Sequence, residues 1–386
     1  MRQIGLRAVF MRGGTSRALM LRAPDLPADR DRWAPIFLAL MGSPDPNGRQ
    51  LDGMGGGISS LSKICVIGPP SHPEADVDYT FAQVAIRDAA VDYSGNCGNM
   101  SSAVGPFAVD EGIVRATGDQ AVVRIFNTNT RKLIVARFAL DDGRAAVDGD
   151  FVLPGVAGSG APIRLEFLDP GGAATGRLLP TGNLLDRLAA DGLGAIDATM
   201  VDAANPCVFV AADSLGLTGA ELPDQLEARP DLLARLETIR VAASIRMGIA
   251  TDAAQAARIP SIPKVAVVAA PRPAPTLSGA ALIADDADIL VRMVSLGQPH
   301  RAVPLTGAMC LAVATRIPGT LPHRLARAGR AATDPVRIAQ PSGVTVVDAA
   351  VTRAGDRWRA DQATVYRTAR RLMEGIAYYR AAAIAR

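Results

Sequence analysis

Apolar positions dominate residues 4–11 in strand fashion, predicting a first strand that ends at Arg12-Gly13-Gly14-Thr15-Ser16 and resumes over 19–21. Residues 29–41 change to a helical period, with Trp33, Ile36, Phe37, Leu40 and Met41 on one face. The breaker cluster Gly42-Ser43-Pro44-Asp45-Pro46-Asn47-Gly48 stops it. A glycine-rich loop, 53–57, leads into residues 58–67, which end in the apolar run Ile64-Cys65-Val66-Ile67, and 77–90 reads as strand again. Beyond Ser94-Gly95-Asn96-Cys97-Gly98-Asn99, residues Met100, Ala103, Val104, Phe107 and Ala108 fall at i, i+3, i+4, i+7 and i+8 of a helix, with Pro106 placed to kink it. Strands follow over 122–126, 133–138 and 164–167.

The loop 178–183 marks a boundary, giving an N-terminal half 1–184 and a C-terminal half 185–386 whose final segment could pack back on the first half. In the second half the pattern gives strands over 195–201 and 207–210, a helix over 231–247, and strands over 264–268 and 288–296. Residues 308–314 are apolar all round, as in a buried central helix. The tail offers strands near 344–347 and 364–366, then a segment 370–379. Each half thus holds many strands and one buried helix that starts after a loop of small and polar residues. That is a mixed α+β pattern, with no clear residue-level repeat beyond it.

Composition narrows the class. With 386 residues, 49% apolar and 20% charged, the chain is neither disordered nor fibrous, and exceeds what one core usually supports. Its apolar runs are too short to span a membrane, and no secretory signal is visible at the start. A net charge of +3 and 4% aromatics give no basic, stacking surface for nucleic acid. The four cysteines form no C-x-x-C pair and the three histidines are scattered, so neither a disulfide framework nor a metal site is expected. A reducing cytoplasm is the simplest setting.

Three positions invite chemistry. Only three of the 41 basic residues are lysines, Lys63, Lys132 and Lys264, so lysine is weakly marked where an amine matters. Lys63 precedes an apolar run; spacing alone favours a side chain that snorkels to water over one desolvated for use as a base. Cys97 stands at a helix start, where backbone N–H groups and the helix dipole favour an anion; a tight-turn packing role is equally open. Arg12-Gly13-Gly14-Thr15-Ser16 puts a guanidinium and two hydroxyls on a glycine loop, suited to a carboxylate or to a plain hairpin turn. P-loop, dinucleotide and Gly-x-Ser-x-Gly fingerprints are absent.

These segments resemble one family. Arg12-Gly13-Gly14-Thr15-Ser16, Gly42-Ser43-Pro44-Asp45, Asp52-Gly53-Met54-Gly55-Gly56 with Ser62-Lys63, and Ser94-Gly95-Asn96-Cys97-Gly98-Asn99 resemble, in order, motifs of the PrpF-type isomerases. Pro180-Thr181-Gly182-Asn183, Pro263-Lys264, Pro341-Ser342-Gly343 and Arg371-Leu372-Met373-Glu374-Gly375 extend the likeness over nearly the whole chain. The resemblance implies a diaminopimelate-epimerase-like fold: two similar halves, each a β-barrel-like sheet around a central buried helix. It implies proton transfer in a small unsaturated di- or tricarboxylate without metal or organic cofactor. Lys63 and Cys97 match the family's acid/base lysine and active-site cysteine. Arg12, Thr15, Ser16, Asn96, Gly98, Asn99, His300, Thr306, Gly307 and Ser342 would hold the substrate.

The chain also departs from the family. Arg17 stands where lysine is common, Gln340 where histidine is common, and Thr306 where epimerase relatives carry a second cysteine, which disfavours a racemase with two facing thiols. The Ser-Gly-Asn lead into Cys97 favours 2-methylaconitate cis-trans isomerisation. Alternatives are 4-oxalomesaconate tautomerisation, methylitaconate Δ-isomerisation, or a carboxylate-binding protein without catalysis. No nucleic-acid or membrane partner is expected, and a homodimer would be unremarkable.

Overall fold

The computed structural model describes residues 3–190, 194–331 and 333–383. It divides into two compact units, one of Met1–Glu166 with Tyr366–Arg386, the other of Phe167–Val365. The division therefore falls before the 178–183 loop, and the tail belongs to the first unit.

In the first unit, β1 (Gln3–Gly13) and β2 (Ser16–Arg22) form a hairpin, with Arg12 opposite Arg17 and Gly13 opposite Ser16. Helix α1 (Trp33–Met41) crosses to β3 (Lys63–Gly68), which lies parallel to β2. Strand β4 (Val77–Val84) runs antiparallel to β3, placing Lys63 beside Gln83. Helix α2 (Gly98–Asp110) crosses to β5 (Gln120–Asn127), parallel to β4, and β6 (Lys132–Asp141) closes an antiparallel pair with β5. The five apolar residues expected on one face of α1 are all buried. They pack on Leu19, Leu21, Ile64, Val66 and Val84. All of β3 is buried, as a strand covered on both faces should be. Helix α2 is buried from Met100 to Val109 and contains Pro106 within its span, as the sequence placed it.

The second unit repeats this order. Strands β7 (Gly194–Ala203) and β8 (Asn205–Ala211) form a hairpin. Helix α3 (Pro230–Arg246) crosses to β9 (Lys264–Ala269), parallel to β8. Strand β10 (Ile289–Ser295) is antiparallel to β9. Helix α4 (Leu305–Thr315) crosses to β11 (Val336–Gln340), parallel to β10, and β12 (Gly343–Ala354) pairs antiparallel with β11. Every residue of α4 is buried. The amphipathic α3 covers the sheet through Leu232, Leu236, Ile239 and Ala243. The halves are thus alike in topology, though the residues show no repeat: each has one crossover helix buried along one face and one buried nearly throughout. This is the diaminopimelate-epimerase-like α+β fold.

Two strands complete the chain, β13 (Arg357–Arg367), antiparallel to β12, and β14 (Ala369–Arg380). Strand β14 pairs with β1 from Gln3 opposite Arg380 to Gly13 opposite Ala369. Among the described residues no helix is long and apolar enough to cross a membrane. All four cysteines are free thiols.

Candidate active site

Lys63 is the first residue of β3 and is only 7% exposed. The snorkelling geometry favoured by spacing is not adopted. Its Nζ sits 4.9 Å from the centroid of the Phe81 ring and donates to Gln83 Oε1. Gln83 Nε2 in turn donates to Ser62 O (2.9 Å) and Ser59 O (3.1 Å), which fixes the amide with its oxygen toward the amine. The partner of Lys63 is therefore a neutral amide, and no carboxylate of the described residues pairs with it.

Cys97 occupies the residue before α2, in extended backbone, and its side chain does not cap the helix. The leading N–H groups of α2 are left open toward the dipole's positive end, a ready position for an anion. The first helical bond, Ser101 N to Cys97 O, is 2.9 Å. Beneath lie Cys65 and Tyr79, both fully buried, with Sγ and the hydroxyl 3.8 Å apart. Burial pushes the Cys65 thiol well up; nearby Cys97 raises it further, while the Tyr79 hydrogen bond and Lys63 oppose. Asn96 is tied in through its Oδ1, which accepts from Ser101 Oγ (3.3 Å) and Asn127 Nδ2 (3.4 Å).

The Arg12–Ser16 hairpin tip packs on the start of α2. Gly14 has φ +51°, and a Cβ there would lie 2.3 Å from Asn99 Oδ1, so glycine is required for both reasons. Asn99 Nδ2 donates to Thr15 Oγ1 at 3.0 Å. Arg12 Nη1 donates to Gly14 O and Thr368 O, both at 3.0 Å, which closes the tip against the tail. Ser16 is buried at the base of the hairpin. Arg367 joins the same place: its Nε donates to Asn99 Oδ1 (3.3 Å) and its Nη1 to Tyr366 O (2.8 Å). Sequence reasoning passed over Arg367 because arginine is so common here; its one clue was the neighbouring Arg371-Leu372-Met373-Glu374-Gly375 motif.

The second unit gathers the other candidates around the start of α4, which also has no side-chain cap. Thr306 is buried in its first turn. Lys264 begins β9 as Lys63 begins β3, and its Cδ lies 3.9 Å from where a Cβ on Gly307 would stand. His300 Nε2 is 2.6 Å from Ser295 Oγ. Burial, and then the charge of Lys264, push the imidazole down to about 3, so it is neutral. Ser342 uses its hydroxyl on Arg301 O (2.6 Å), which ties the turn between β11 and β12 to the segment before α4. Gln340, in place of the family's histidine, accepts from Val303 N (3.2 Å) and Ser342 N (3.0 Å), a bracing that explains its 2% exposure.

The family model described as PrpF protein matches residues 3–380. The chain belongs to the PrpF family. It is 43% identical over 378 residues to a 3-methylitaconate isomerase of Eubacterium barkeri, covering 97% of each chain. It is 40% identical to a 2-methyl-aconitate isomerase of Shewanella oneidensis, over 97% of this chain and 96% of that one. Among solved structures, a methylitaconate-delta-isomerase superposes with a TM-score of 0.86 at 42% identity, covering 100% of this PrpF chain and 98% of the other. A probable proline racemase from Agrobacterium radiobacter shares the fold alone, with a TM-score of 0.52 at 13% identity over 96% and 92% of the two chains.

Proposed function

We propose that this PrpF-family protein is an isomerase that moves an allylic proton within a small unsaturated di- or tricarboxylate, with Lys63 and Cys97 as the groups that handle the proton. The observation that carries the reading is a buried amine whose partner is a neutral amide, Lys63 on Gln83, in a unit where Cys97 stands at an uncapped helix start. A C–H next to a conjugated carboxylate loses its proton when the resulting charge is held by N–H donors. The electron pair then spreads over three carbons into the carboxylate. Rotation about the weakened double bond followed by return of the proton to the same carbon gives cis-trans isomerisation. Return at the far carbon shifts the double bond. One lysine–thiol pair serves both outcomes, since the same groups that take a proton from one carbon can deliver one, exchanged with water in between, to either carbon.

The Ser94-Gly95-Asn96 lead into Cys97 favours 2-methylaconitate as substrate. The similarity to the 3-methylitaconate isomerase supports the double-bond shift as a second reading. Thr306 in the α4 turn argues against a two-thiol epimerase.

Proton NMR in heavy water decides. The protein is mixed separately with cis- and trans-2-methylaconitate, methylitaconate and 4-oxalomesaconate. The expected result is exchange and isomerisation of one acid, reduced by about two orders of magnitude or more in Lys63→Ala and Cys97→Ser. Exchange with none of them sinks the reading and leaves a carboxylate-binding protein.

A further inference from the structure

Charge in the first unit is unbalanced around the start of α2. Arg367 is 6% exposed, yet no carboxylate of the described residues pairs with it. Its bonds go to an amide oxygen and to the carbonyl of Tyr366, its own neighbour in the chain, and Nη2 has no acceptor among the described residues. Arg12, half-buried, likewise spends its guanidinium on carbonyls, and Lys63 on an amide. By contrast Arg371, half-buried in the same unit, pairs with Glu111 at 2.9 Å. A buried cation without a counter-charge is strongly disfavoured. Here the cost is compounded, because Asn99 holds Arg367 at the positive end of α2, where a second positive charge is repelled. Burial pushes the guanidinium down to about 10, which leaves it charged at neutral pH. An anion placed beside the helix N–H groups would balance both the guanidinium and the helix start.

We propose that Arg367 is a substrate-binding residue that takes one carboxylate of the polycarboxylate, through Nη2, next to the open N–H groups of α2. The inference rests on the reading of the protein as an isomerase of unsaturated polycarboxylates and names the group that recognises one of the acid arms. Asn99 is then the positioning residue: its Oδ1 holds the guanidinium and its Nδ2 is itself held by Thr15. Arginine suits the task because its planar fork meets a carboxylate at two points, whereas lysine offers one.

The test uses the full-length protein, its active acid and two saturated, unreactive probes, tricarballylate and glutarate. Arg367→Gln is expected to raise KM roughly a hundredfold with kcat changed far less, the signature of lost ground-state and transition-state binding alike. Calorimetry should show tricarballylate affinity falling by a similar factor, with glutarate, one carboxylate fewer, affected less. Arg367→Lys keeps the charge and should restore part of the loss. If Arg367→Gln does not fold, Arg367→Lys alone decides: an unchanged KM overturns the proposal. A fall in kcat at constant KM, or unchanged tricarballylate binding, also overturns it, and would make Arg367 merely a brace for Asn99. If the wild-type protein exchanges no acid's proton but binds tricarballylate in an Arg367-dependent way, the isomerase reading fails while the carboxylate site stands.

Discussion

His300 shows how one buried side chain couples pH to stability. Its imidazole titrates near 6.5 in an unfolded chain and is pushed down to about 3 by burial and by Lys264. Between those values the unfolded chain binds a proton there that the folded chain refuses. The contribution of His300 is therefore complete above pH 6.5 and is lost as pH falls through this window, by about 1.4 kcal/mol per pH unit. Denaturant titrations at pH 7, 6, 5 and 4 should show a shallower loss of stability in His300→Gln than in the wild type. Parallel profiles would mean that other groups set the acid response. Lys63 teaches the complementary lesson. Its position before an apolar run was visible in the sequence, but the choice between snorkelling and burial was not. Gln83, twenty residues away along the chain, settles it by offering an oxygen inside.

At the scale of elements, the crossover helices carry the site by what lies after them. Arg240 on α3 is 1% exposed and donates to the carbonyls of Ala256 (3.0 Å), Ile259 (3.2 Å) and Ile262 (3.3 Å). These bonds pin the segment that delivers Lys264 to the head of β9. Arg240→Met fills similar volume but leaves three carbonyls without their donor. We expect a loss of about 2–4 kcal/mol, read as a lower urea midpoint at unchanged slope. A midpoint shift under about 0.5 kcal/mol equivalent would show that the segment is held by its own turns. The period of α3 was legible because its outer face is polar, and that of α1 because Trp33, Ile36, Phe37, Leu40 and Met41 fall on one face. Helix α4 was legible for the opposite reason, being apolar all round. One buried helix per half, after a small and polar loop, was legible too; that each crosses between two parallel strands was not, since strand pairing joins residues far apart in the chain.

At the scale of the molecule, the first unit is not contiguous in sequence. Residues 366–386 return to it, and β14 supplies the whole outer partner of β1. Ala377 and Tyr379 enter the core under α1, and Arg371 binds Glu111. Truncation after Thr368 would leave β1 as an open edge beside exposed core, a template for aggregation. The truncated chain is expected to be largely insoluble. In whatever soluble fraction exists, hydrogen exchange should speed up in β1–β3 while β9 and β10 stay protected. Uniform protection in both units would show the tail to be dispensable.

The sequence by itself determined the local geometry: which segments are strand or helix, which faces are apolar, and which ordered motifs mark the family. Those are properties of neighbouring residues, and backbone period with side-chain polarity is enough to express them. Cys97 at a helix start belongs to this class, as does the glycine hairpin after Arg12. Tertiary structure alone decided where charges lack partners. Arg367 and Asn99 are 268 residues apart, and nothing in either neighbourhood says that they touch. Whether a cation is balanced depends on which groups stand within a few ångströms in space, and the field of the helix start adds to theirs. A pattern along the chain cannot report that sum.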